Sequence, residues 1–238
     1  MLYRVFDGHC DTPVELWLQE KQLRSSDLAV SLDKAAGLGG YAQFFAFCTA
    51  WIKTRMPHTE HFSRALDYFL AQLRKNEDRI TLCRTAPEAE AAMQAGKCAA
   101  FLAIEGAEAV REDEGLLELA YEAGVRMVSL VWNLPNGLSG SCQTGEGLTE
   151  KGKRFFRRAQ KLGMLVDVSH LSEKGFWDMA ELAEKPIVVY ELFIRFVRRL
   201  PAPAQSDRRA VPGHLRSWRH GRAQPLRAVS DRRAARDV

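Results

Sequence analysis

The sequence predicts an α/β fold in which parallel strands alternate with helices toward an eight-stranded (β/α) barrel. It stops at about six βα units and continues as an irregular, arginine-rich C-terminal tail. Three observations carry this reading. Short apolar runs alternate with amphipathic stretches before residue 190, the rhythm of a parallel sheet. Several of those runs end in His, Asp or Glu, as they would at the C-terminal rim where such barrels place their active sites. After residue 190 neither period survives. The 238 residues, 46% hydrophobic, allow one sizeable core and fall near the roughly 250 residues of a closed barrel.

In chain order, Tyr3 to Phe6 reads as a strand and runs into Asp7-Gly8-His9-Cys10-Asp11. His9 and Asp11 stand two apart, so on an extended segment both side chains leave one face and can grip one ion, while Cys10 points away. Ala42 to Phe47 is the second strand. His58 to Lys75 is helical, since Phe62, Ala65, Leu66, Tyr68, Phe69 and Leu73 recur on one face. Ala86 to Ala95 is the next helix, and the strand Ala99 to Ile104 delivers Glu105-Gly106. Gly115 to Ala123 is helical and Arg126 to Val131 a strand ending before Trp132 and Asn133. Lys151 to Leu162, the strand Met164 to Val168 leading into Ser169-His170, and Ser172 to Ala183 follow. The last strand, Ile187 to Val189, ends in Tyr190, which is not a metal ligand of the same kind.

Imidazole and carboxylate donors without thiolate favour zinc, manganese or iron in a catalytic site. Taken singly, His9 and Asp11 also read as a strand-end hydrogen-bond pair, Glu105 as a solvated loop acid, and His170 as a helix cap or core histidine. His58, His61, His214 and His220 read as surface residues, and Trp132 and Asn133 as a pocket wall.

Five cysteines without a C-x-x-C spacing argue against a disulfide framework and a thiolate zinc site. No run of about 18 apolar residues and no secretory-type start is present, so the expectation is a cytoplasmic protein without a membrane role. The net charge of +4 hides a split: residues 191–238 hold twelve Arg, no Lys and four acids, net +8, against −4 in the rest. Such a tail could neutralise phosphates, but it has no binding motif and no aromatic interleaving beyond Trp218, so no specific nucleic-acid partner is expected.

Together the segments Asp7-Gly8-His9-Cys10-Asp11-Thr12-Pro13, Ala103-Ile104-Glu105-Gly106, Gly124 to Leu130, Gly147-Leu148-Thr149 with Gly152, and Leu162 to His170 resemble the membrane dipeptidase family, renal dipeptidase-like enzymes of peptidase family M19. The resemblance implies a TIM-barrel-like zinc metallohydrolase that cleaves dipeptides by metal-activated water. His9 and Asp11 would bind one zinc, Glu105 would bridge two, and His170 would bind the second. It also implies a second histidine for that ion after a Pro-apolar strand, where Pro186-Ile187-Val188-Val189 is followed instead by Tyr190-Glu191. Members of the mammalian type carry a histidine on the fourth strand, where this chain has Trp132 before Asn133.

The expectation is therefore a partial-barrel dipeptidase domain over residues 1–190 and an irregular basic tail over 191–238, with a weakened second zinc site and activity reduced or lost. The alternatives are an inactive metal-binding remnant and a nucleic-acid-binding tail. A shift of reading frame near residue 190 would account for the vanished lysines, since degenerate codons for Gln205 through Ala228 permit an adjacent frame similar to the family's continuation. An unfinished sheet leaves an open edge, so a homodimer or looser self-association is expected.

Overall fold

The computed structural model describes residues 3–189, which contacts divide into two compact units meeting in sequence at Ser129 and Leu130. The tail expected over 191–238 lies outside the described residues.

The first unit runs β1 (Arg4–Asp7), α1 (Thr12–Leu18), α2 (Leu32–Ala35), β2 (Gly40–Cys48), α3 (His58–Lys75), β3 (Ile80–Leu82), α4 (Ala86–Gln94), β4 (Cys98–Glu105), a 3-10 turn (Ala107–Val110), α5 (Glu114–Glu122) and β5 (Val125–Ser129). All its strands are parallel: β1 pairs β2, β2 pairs β4, and β4 pairs both β3 and β5. The two short partners share one edge of β4, β3 beside its first three residues and β5 beside its end. Strand β3 was not expected; three residues bounded by the chain turn at Asn76 and by Arg84-Thr85 are too few to show a period.

Every residue of β2 and β4 is buried, the near-continuous apolar run of a strand covered on both faces. Helix α3 lays Phe62, Ala65, Leu66, Phe69 and Leu73 toward the core, as its periodicity predicts. Phe69 meets Phe45 at a ring separation of 4.8 Å and Phe62 meets Phe47 edge-on at 5.4 Å. Burying such rings contributes about 1.5–3 kcal/mol each. His61, read as a surface residue, is instead 1% exposed, with Nε2 2.9 Å from Thr54 Oγ1. Burial and then the nearby His58 hold its pKa below the ordinary value, so it is carried as neutral imidazole.

The second unit begins with a long loop and continues as α6 (Glu150–Leu162), β6 (Leu165–Asp167), α7 (Glu173–Leu182) and β7 (Ile187–Val188), with β6 and β7 parallel in register Val166–Ile187 and Asp167–Val188. Thr149 and Ser172 cap the two helices by accepting the Gly152 and Gly175 N–H groups at 3.0 and 2.8 Å. The Gly147-Leu148-Thr149 and Gly152 motif is thereby explained as architecture. The Thr149 hydroxyl donates to the Gly137 carbonyl at 2.7 Å, and Gly152 lies so close to the Leu138 carbonyl that any Cβ there would collide with it. The strand order, parallel pairing and alternation with helices are those of an incomplete TIM-barrel-like α/β fold, with β3 as an addition to the six expected strands.

Candidate metal centre

Strand pairing carries the first ligands to the rim. Beyond β1 the ladder continues, with the Cys10 N–H donating to the Phe44 carbonyl at 3.2 Å and the Ala46 N–H to the Cys10 carbonyl at 2.9 Å. Cys10 therefore stands opposite Phe45. Asp7 pairs with Gln43, so an uninterrupted register would have put His9 there. One extra residue is accommodated between Asp7 and Cys10, and the Asp7 carboxylate steadies this bulge by accepting the His9 N–H at 3.1 Å.

The local reason for the His9–Asp11 pairing thus differs from the expected one. The two are not alternate residues of a strand: His9 sits on the bulge, and Asp11 is the N-cap residue of α1 with φ −83° and ψ 5°. Asp11 makes no side-chain capping bond; its Oδ2 lies 3.6 Å from His9 Nε2 instead. Glu105, the last residue of β4 and in register with Cys48 of β2, brings Oε2 to 3.7 Å from the same nitrogen.

One donor atom from each of His9, Asp11 and Glu105 lies within 4.8 Å of the others. Bonds of about 2.0–2.2 Å to one tetrahedral cation separate the donors by roughly 3.3–3.6 Å, and the 3.6 and 3.7 Å separations from His9 Nε2 come close to that. The environment is graded, with Glu105 2% exposed, His9 18% and Asp11 50%. A buried carboxylate is costly unless cations or hydrogen bonds answer it, and a divalent ion does so directly. The donor set and its spacing therefore fit a divalent metal ion. Burial pushes the Cys10 thiol up to about 12, with the Asp7 and Asp11 charges adding to the shift, and burial together with the Glu105 carboxylate pushes Cys48 up as well.

His170 belongs to the second unit. It is 4% exposed and takes a left-handed conformation, φ +64°. Asp167 shapes the turn before it, accepting the Ser169 N–H at 3.1 Å and the Ser169 hydroxyl at 2.7 Å. His170 Nδ1 is 3.2 Å from Asn133 Oδ1, its carbonyl accepts the Cys142 N–H at 2.7 Å, and the Trp132 ring lies 6.3 Å from its own. It does not cap α7, which Ser172 does. Asn133, expected only as pocket wall, carried no sequence signal for this contact, which spans 37 residues.

A separate cleft opens at the other end of the strands, lined by Gly40, Tyr41, Lys97 and Cys98 at the starts of β2 and β4, and it shares no residue with the carboxylate–histidine group. No helix among the described residues is long and apolar enough to cross a membrane.

Residues 2–195 match the family model of membrane dipeptidases, peptidase family M19. An uncharacterized protein from the PQQ-III 3' region of Acinetobacter calcoaceticus is 30% identical over 220 residues, 77% of this chain and 69% of that protein. The crystal structure of the M19 metallopeptidase dipeptidase AC superposes with a TM-score of 0.70 at 29% identity, covering 80% of this chain and 63% of its own. A Rhodobacter sphaeroides metallopeptidase bound to a phosphinate mimic of the dipeptide L-Ala-D-Ala gives 0.68 at 28% identity, with 80% and 65% covered. This chain thus spans just under two thirds of each of these two structures.

Proposed function

The chain belongs to the membrane dipeptidase family, peptidase family M19, and from that premise we propose that it is a zinc-dependent dipeptidase-like hydrolase acting on the peptide bond of dipeptides. The observation that carries the reading is the convergence of His9 Nε2 with Asp11 Oδ2 and Glu105 Oε2 at 3.6 and 3.7 Å. When bound, divalent ions in such a site acidify water toward neutrality and polarise a carbonyl.

The residues divide the remaining work. His9, Asp11 and Glu105 would hold the first ion, and the family likeness assigns Glu105 and His170 to a second. Glu105 combines near-complete burial with a place at the end of a fully buried strand, so its carboxylate is held rather than free to swing. By that pattern the second ion would have fewer protein donors, since Tyr190 stands where the family pattern has a histidine. A metal-binding remnant without turnover is the second reading, and that substitution is what favours it.

The deciding experiment loads the full chain with zinc and assays a panel of dipeptides, L-Ala-D-Ala included, beside His9→Ala, with bound metal counted in each sample. One tight ion, a weaker second one and turnover lost in His9→Ala are expected. Equal metal content in the two proteins would refute the site. Metal without turnover would select the remnant.

A further inference from the structure

We propose that Asn133 is a positioning residue for His170, its side-chain carbonyl accepting the imidazole Nδ1–H and thereby fixing the tautomer whose Nε2 carries the lone pair a metal ion requires. The inference rests on the reading of His170 as a ligand of the second ion.

A neutral imidazole has one N–H, and the hydrogen bond made by one ring nitrogen decides which nitrogen is left to coordinate. At 3.2 Å, Asn133 Oδ1 is an acceptor within reach of Nδ1, and an acceptor there selects Nδ1–H. The rest of the segment is built to keep that acceptor in place. The Asn133 carbonyl receives the Ser141 hydroxyl at 2.8 Å, Ser141 forms a bridge with Leu171, and Cys142 donates its N–H to the His170 carbonyl at 2.7 Å. Residues 133 to 142 thus hold His170 at both its ring and its backbone. The backbone hold matters because φ +64° is strained for a residue with a Cβ and persists only where surroundings enforce it.

A merely structural asparagine would answer a ring nitrogen with either end of its amide. A positioning one must present oxygen. The test uses full-length wild type, Asn133→Leu, Asn133→Asp and His170→Ala. Long-range proton–nitrogen NMR of the metal-free proteins reads the His170 tautomer: Nδ1–H alone is expected in wild type and Asn133→Asp, and a mixture or Nε2–H in Asn133→Leu. Zinc titration calorimetry is expected to show the weaker second ion bound about 10- to 100-fold less tightly in Asn133→Leu, recovered in Asn133→Asp, with the first ion unaffected.

An Nε2–H tautomer in wild type overturns the proposal without recourse to any variant, as does an unchanged tautomer in folded Asn133→Leu. If His170→Ala still binds the second ion as wild type does, the ligand assignment fails instead. The two failures are therefore separable.

Discussion

At the scale of single residues, Asp11 shows a side chain diverted from a stabilising role. An aspartate at an N-cap ordinarily accepts a backbone N–H and contributes about 1 kcal/mol, yet here it faces His9. Asp11→Asn should therefore shift the stability of the metal-free protein by no more than about 0.5 kcal/mol, because no capping bond is lost and the side chain is half exposed. It should weaken the first ion by at least about 100-fold, since even groups behind the ligands are worth 10- to 100-fold. Urea denaturation and zinc titration of the same sample check both halves. A large loss of metal-free stability would mean that Asp11 supports the fold rather than the ion.

At the scale of elements, the loop before α6 and the helix itself are welded by close approach. Gly152 would gain up to about 1 kcal/mol of helix propensity on becoming alanine. The added methyl must displace the Leu138 backbone carbonyl, and forced overpacking costs about 1–3 kcal/mol, so steric strain wins. Gly152→Ala is expected to lower the denaturation midpoint, and an unchanged or raised one would contradict the packing. The long elements were legible in the sequence: α3 and α6 declared themselves through their periodicity, and β2 and β4 through unbroken apolar runs. The short ones were not. β3 and α2 span three and four residues, below the length at which a period can be read, and α1, seven residues from Thr12, makes only about two turns. Of the candidate ligands, three are gathered where the strand ends predict, but by a bulge and a helix cap that residue spacing alone does not encode. Asn133 was invisible as a partner of His170 because a contact across 37 residues leaves no local mark.

For the molecule as a whole, the strand edge left unpaired among the described residues of the first unit predicts association with further copies. Among the described residues β1 pairs with β2 alone, and it presents Phe6 at 61% exposure beside Phe44, whose ring lies 6.0 Å away. An unpaired strand edge next to exposed aromatic surface favours association with another copy. Sedimentation velocity of the full chain should show association rising with concentration, reduced in Phe6→Lys. A monodisperse monomer across the range would refute it. Resequencing the locus tests the proposed frame shift near residue 190, since an unbroken frame lacking the alternative codons would exclude it.

The extra residue between Asp7 and Cys10 ties cation affinity to how the chain is counted rather than to which side chains it holds. Removing Gly8 would let backbone pairing run on without interruption, with His9 opposite Phe44 and Cys10 still opposite Phe45, and would take away the bulged backbone from which the His9 ring now meets Asp11 and Glu105. Such a deletant would keep all three donors in its composition and lose their common focus, a better-knit sheet with a weaker grip on any metal ion.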